Sequence, residues 1–294
     1  MSRIPVLKTY KIYIGGKFPR TESGRFYQPE DAKGNSLGNL CRSSRKDLRN
    51  AVVAARAAFP GWSSRPAFNR GQILYRIAEV LEGRTDQFVA ELVAQGSTAK
   101  AATKEVELSV DRLVYYAGWC DKYQQVFSAV NPVASNHFNF SIYEPMGVVA
   151  IVAPEESSLV GLISTLAPAL AGGNVVVLLA SQSKPLCSIT LAEVLQTSDV
   201  PGGVVNVLTG FDSELLPHFA GHMDINAVIY GRQGADQIEA LQRGAAENVK
   251  RVSLLGDRNW LEAEAHDPYL ILNTQEVKTT WHPIEKVGGS ASGY

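Results

Sequence analysis

Few side chains in this sequence can attack an electrophile or carry a proton, and they stand at readable places. The three thiols are Cys41, Cys120 and Cys187, an odd number at wide spacing. A thiolate is a strong nucleophile, but this pattern suits neither a disulfide framework nor a zinc site. Each reads as a buried or half-buried structural thiol, and together they point to a reducing compartment. Glu155 and Glu156 follow an apolar run, residues 148–152, and are candidates for a general acid/base pair. Neighbouring side chains beyond a strand end diverge in direction, so a solvated loop is the expectation. Gly231-Arg232 follows a second apolar run, residues 227–230. A guanidinium there can bind phosphate, although a structural arginine at the surface is the simpler expectation. Asn139-Phe140-Ser141 matches a glycosylation acceptor and reads as unmodified, because no secretory signal precedes it.

The elements that must position these residues follow from periodicity. Tyr10, Ile12 and Ile14 alternate before Gly15-Gly16, which supplies the positive φ angles of a two-residue hairpin turn. Ser44 with Asp47 makes a capping-box start, after which Leu48, Val52, Ala55 and Phe59 share a helix face that Pro60-Gly61 should end. Ile73, Ile77 and Leu81 mark a second helix stopping at Gly83, and Thr85 begins a third that runs to Gly96. A longer helix places Val106, Val110, Leu113 and Ala117 on one side. Residues 137–143 then read as a strand, with Phe138, Phe140 and Ile142 on one face. From there short apolar runs at 148–152, 175–179, 204–208, 227–230 and 251–255 alternate with helical patterns near 162–170, 186–196, 215–220 and 235–243. This order predicts an α/β fold, a doubly wound parallel sheet of about five strands behind an N-terminal helical layer. The tail, residues 288–294, reads as an unstructured end.

Composition narrows the class of partner. The chain has 294 residues, 45% of them hydrophobic, and a net charge of −1. That is enough to bury a large core, and too little charge to favour nucleic acid or an acidic membrane surface. No apolar run approaches the ~20 residues of a membrane helix, and a cytoplasmic location is expected.

Residues 145–210 read PMGVVAIVAPEESSLVGLISTLAPALAGGNVVVLL and onward to LAEVLQTSDVPGGVVNVLTG. This stretch closely resembles the nucleotide-binding half of NAD(P)-dependent aldehyde dehydrogenases, and residues 106–122, VELSVDRLVYYAGWCDK, resemble the same family's N-terminal helix. The resemblance implies a nucleotide-binding domain over 1–127 and 144–260. It also implies a small β oligomerisation flap from 128–143 and 269–294. Residues 273–284, NTQEVKTTWHPI, look like the family's C-terminal strand, with Val277, Thr279 and Trp281 on one face and Pro283 ending its pairing. Between Trp260 and Asn273 the family carries a catalytic domain, here expected to be missing.

Aldehyde oxidation needs a thiolate, oxyanion donors, a carboxylate base and a nicotinamide. By resemblance the family's nucleophile lies in the absent domain, its base position falls on Leu254, and its oxyanion asparagine on Glu156. No residue here is therefore assigned to catalysis. The cofactor-binding positions fall on Pro154, Glu156, Ser181, Gln182, Gly210, Gly231 and Arg232, with Leu179 in place of the lysine that holds the ribose. NAD(P) binding is expected to be weak or lost, no tighter than about millimolar. The implied protein is a catalytically inactive structural or regulatory subunit, forming a homo-oligomer (a dimer first) or a hetero-oligomer with a full-length aldehyde dehydrogenase. The alternatives are an oxidoreductase component active only in such a complex, and a vestigial nucleotide sensor.

Overall fold

The computed structural model describes residue 4 and residues 6–284. The expectation for the 288–294 tail lies outside them, as does the end of the 269–294 flap segment. Three short strands open the chain: β1 (Thr9–Tyr10), β2 (Phe26–Tyr27) and β3 (Asn39–Cys41). The helical layer follows as α1 (Arg45–Ser63), α2 (Ala67–Glu82), α3 (Thr85–Ala94), α4 (Ala99–Trp119) and the short α5 (Tyr123–Phe127). After β4 (Ala129–Asn131) and β5 (His137–Pro145), strands and helices alternate. They are β6 (Val148–Val152), α6 (Val160–Ala171), β7 (Val175–Leu179), α7 (Leu186–Gln196), β8 (Val205–Leu208), α8 (Asp212–Gly221), β9 (Ala227–Tyr230), α9 (Ala235–Ala246) and β10 (Arg251–Leu254). The last elements among the described residues are α10 (Tyr269–Leu272) and β11 (Gln275–Pro283).

The central sheet is five-stranded and parallel, in the order β10-β9-β6-β7-β8. Right-handed crossovers put α6 and α7 on one face and α8 and α9 on the other. Helix α1 packs across β6, β7 and β8, while α2, α4 and α10 pack outside α6. Strands β6 and β7 are buried along their whole length, as is every residue of α6. That is why these segments read as continuous apolar runs rather than alternating ones. Among the described residues no helix is long and apolar enough to cross a membrane.

Two local expectations need correction. Helix α1 does not end at Pro60-Gly61 but runs through Pro60 to Ser63. The Pro60 carbonyl still accepts from Ser64 N at 3.2 Å and from Ser64 Oγ at 2.7 Å, so the chain keeps helical pairing past the proline. The N-terminal alternation also builds no extended hairpin. Gly15 (φ +61°) and Gly16 (φ +80°) make the turn, but it carries a single bridge, Ile14 to Lys17. Tyr10 pairs in parallel with β3, and Tyr13 bridges Val207 at the edge of the central sheet. The start of α1 is as expected: Ser44 and Asp47 satisfy each other's backbone N–H groups.

The flap joins β11, β5 and β4 antiparallel, Val277 opposite Tyr143 and Trp281 opposite Asn139. Asn139 is buried and its side-chain oxygen accepts from Asn131 at 2.6 Å. As expected, β11 ends at Pro283, opposite His137, with one further bond beyond it, from Ile284 N to Asn136 O at 3.0 Å. With a period of two, the missing N–H of Pro283 falls on the open edge of β11, where it costs no ladder bond.

Candidate functional site

In this topology the ends of β6 and β9 lie where the strand order turns back, and crossovers leave in opposite directions from there. Such a point opens a crevice outside the C-terminal ends of the strands, which is where open α/β sheets bind ligands. A cleft of 540 Å³ lies here. It gathers Pro154, Glu156, Gln182, Gly231 and Arg232 of the positions marked by resemblance, and adds Glu155 and Asp212. Ser181 and Gly210 do not line it. The Ser181 hydroxyl turns inward, donating to Glu155 O at 2.9 Å and accepting from Lys184 N at 3.0 Å. Gly210 (φ +144°) packs against Ser43 N at the junction of β8 with the segment leading into α1.

Arg232 is not a surface arginine: only 8% of it is exposed. Its Nε donates to Ala153 O at 3.0 Å and its Nη2 to Ala180 O at 2.8 Å, two carbonyls just past β6 and β7. Its Nη1 pairs with Glu155 at 3.3 Å and with Asp212 at 3.2 Å. The guanidinium therefore bridges the cleft with its donors committed to the protein. Glu155 correspondingly does not sit in a solvated loop. Its carboxylate accepts from Gln182 N at 3.1 Å and Ser183 N at 2.6 Å, the backbone donors ahead of α7. Burial pushes its pKa up, but Arg232 and these N–H groups outweigh burial and hold it below the ordinary carboxylate value. Glu156 does face solvent, paired with Lys184 at 2.6 Å. The two carboxylates diverge, and no general acid/base pair forms.

The glycines at the cleft are set by close approach. A Cβ on Gly231 would stand 2.8 Å from Pro154 Cδ, and one on Gly256 would overlap the Arg232 carbonyl. Gly231 thus keeps β9 against the end of β6, without a positive φ.

The helix N-termini at this end of the sheet are already matched to acids. Leu159 N and Val160 N, at the start of α6, donate to Glu105 of α4 at 3.0 and 3.2 Å. Asp212 and Glu214 stand in the first turn of α8. Positive helix ends that would otherwise attract an anion are compensated internally. Sequence reasoning missed both Glu105 and Asp212. Glu105 had a readable signal, since it stands among the inward residues Ala102, Val106 and Ser109 of α4. Asp212 had none.

The three thiols are buried, and none lines the cleft. Burial pushes Cys120 up to about 12 and raises Cys187 well above the usual thiol value. Leu254, at the base position implied by resemblance, ends the edge strand β10, and Leu179 is wholly buried at the end of β7.

The aldehyde dehydrogenase family model matches residues 18–284. The chain is 32% identical over 255 residues to a cytosolic 10-formyltetrahydrofolate dehydrogenase of Xenopus tropicalis, covering 83% of this chain and 28% of that protein. It is 31% identical over 260 residues to a 2-hydroxymuconic semialdehyde dehydrogenase of Pseudomonas sp. (strain CF600), covering 86% of this chain and 53% of the relative. An NAD+ complex of an aldehyde dehydrogenase from Bacillus cereus superposes with a TM-score of 0.80 at 26% identity, over 84% of this chain and 50% of that one. The chain thus spans about half the length of such relatives, or less. With residues 18–284 matched by the family model and the fold superposing on a solved member, the chain belongs to the aldehyde dehydrogenase family.

Proposed function

We propose that this chain is a catalytically inactive member of the family that serves as a structural or regulatory subunit. The observation that carries the reading is the Arg232 bridge, with Glu155 and Asp212 around it, standing where a dinucleotide would cross between the strand ends. A phosphate group there would meet two carboxylates and an arginine whose donors are already used. The residues present are a poor fit to NAD(P): Leu179 offers no charge, and Glu155 already occupies the backbone donors of Gln182 and Ser183. Buried thiols and Leu254 at the base position support the same reading. Purified protein should form no NADH or NADPH from a panel of aldehydes, and calorimetry should find NAD binding no tighter than about millimolar. Micromolar binding would favour the sensor reading. Turnover abolished by substituting Cys41, Cys120 or Cys187 would overturn the proposal.

The subunit role draws on the flap. Phe138, Val277 and Trp281 are exposed there, and the outer edge of β11 has no partner strand among the described residues. An open edge and exposed aromatic side chains favour association. Analytical ultracentrifugation should show a dimer, or a complex once a full-length aldehyde dehydrogenase is added. A monomer under both conditions would remove the subunit role. Activity appearing only in the mixture, beyond that of the added enzyme, would favour the component reading instead.

A further inference from the structure

A second concave site lies apart from the cleft, between α1 and α8. It encloses 210 Å³ and is lined by Arg45 and Arg49 from α1 and by His218 and His222 at the end of α8, with Leu48 and Pro217 completing the wall. Arg45 and Arg49 lie one helical turn apart and share a face, and the two histidines have the same spacing. No carboxylate lines the cavity. Arg42, just before α1, is neutralised by Glu214, whereas among the described residues Arg45 and Arg49 have no carboxylate partner.

The groups behind the cavity add positive charge. Lys250, ahead of β10, donates to His222 O at 2.6 Å and to Asn248 Oδ1 at 2.7 Å, both neutral acceptors. The acid in this neighbourhood is Asp224, exposed on the following turn, whose backbone N–H donates to His222 Nδ1 at 3.2 Å. With Nδ1 accepting, neutral His222 carries its proton on Nε2 and can donate from it. Burial holds both histidines below the usual value. Arg45 reinforces this at His218; at His222, Lys250, Arg49 and Arg45 act against Asp224.

Basic groups gathered on one cavity, with only the exposed Asp224 nearby to offset them, repel one another, and a bound anion relieves that repulsion. We propose that this cavity binds the phosphoryl head of a small phosphate ester. The volume admits a tetrahedral oxyanion with a few attached atoms and is too small for a dinucleotide. Two guanidiniums from one helix face supply paired donors to its oxygens, and each histidine adds a donor and, once protonated, a charge. Because the anion favours protonated histidine, affinity rises as pH falls.

Sulfate is the probe, since it stays dianionic throughout the histidine range. Calorimetric titration should give saturable binding, about ten-fold tighter at about pH 5.5 than at about pH 8. The double variant Arg45→Gln/Arg49→Gln should lose at least about ten-fold in affinity. Both arginines are exposed at the start of α1, so their replacement leaves the core packing alone. His218→Gln/His222→Gln should flatten the pH dependence. Glycerol phosphate should displace sulfate competitively. Binding that does not saturate, affinity unchanged in the arginine variant, a pH-independent affinity, or failure of the ester to compete would each overturn the proposal.

Discussion

Replacing Arg232 by alanine should destabilise the fold by about 3 kcal/mol, more than most single substitutions cost. The change removes two hydrogen bonds to the carbonyls of Ala153 and Ala180 and leaves Glu155 and Asp212 without their shared cation. Both carboxylates retain some contact with solvent, which keeps the figure below that of a fully buried pair. The pH dependence has a definite sign. Glu155 is held below its unfolded value, so its contribution is fully present above the ordinary carboxylate range and is lost as pH falls through its folded value. Removing Arg232 should therefore cost most near neutral pH and progressively less in acid. Urea denaturation at several pH values measures this. A loss under about 1 kcal/mol at neutral pH would mean that the bridge is only a solvent-screened contact.

How far this site was legible depends on what kind of information each part needed. The central sheet could be read directly, because strands buried on both faces appear as unbroken apolar runs between helical patterns. The β5–β11 pairing was reached through resemblance across a long sequence gap, and the register matched Val277 with Tyr143. Helix α1 was cut short because local propensity treats Pro60 as a stop, whereas packing of the preceding face carries the helix to Ser63. Arg232 was misplaced for a similar reason. A charged residue after a strand defaults to the surface, and only the fold reveals two carbonyls and two carboxylates converging on it. Glu155 and Asp212 are far apart in sequence, and nothing local announces their shared partner. Side-chain networks closed by tertiary contact are the part a single sequence hides best.

Glu105→Ala should also cost about 3 kcal/mol, through a different mechanism. Every residue of α6 is buried, so the N–H groups of Leu159 and Val160 cannot turn to water when the Glu105 carboxylate is removed. The loss combines two unmet donors with a missing negative charge at a helix N-terminus. Glu105→Gln keeps an acceptor oxygen in place and should cost about 1 kcal/mol. The two variants thereby separate the hydrogen bonds from the charge. The pH dependence of the native Glu105 contribution should run opposite to that of Glu155. Burial raises the pKa of Glu105 and its hydrogen bonds to Leu159 and Val160 only partly offset this. Its contribution is therefore fully present below the ordinary carboxylate value and is lost as pH rises through the raised folded value. Glu105→Gln should abolish that decline while leaving the acid-side loss from Glu155 intact. A Gln variant that gains stability relative to wild type as pH falls would show that the native state holds Glu105 ionised, below its unfolded value. The backbone donors of α6, rather than burial, would then dominate its titration.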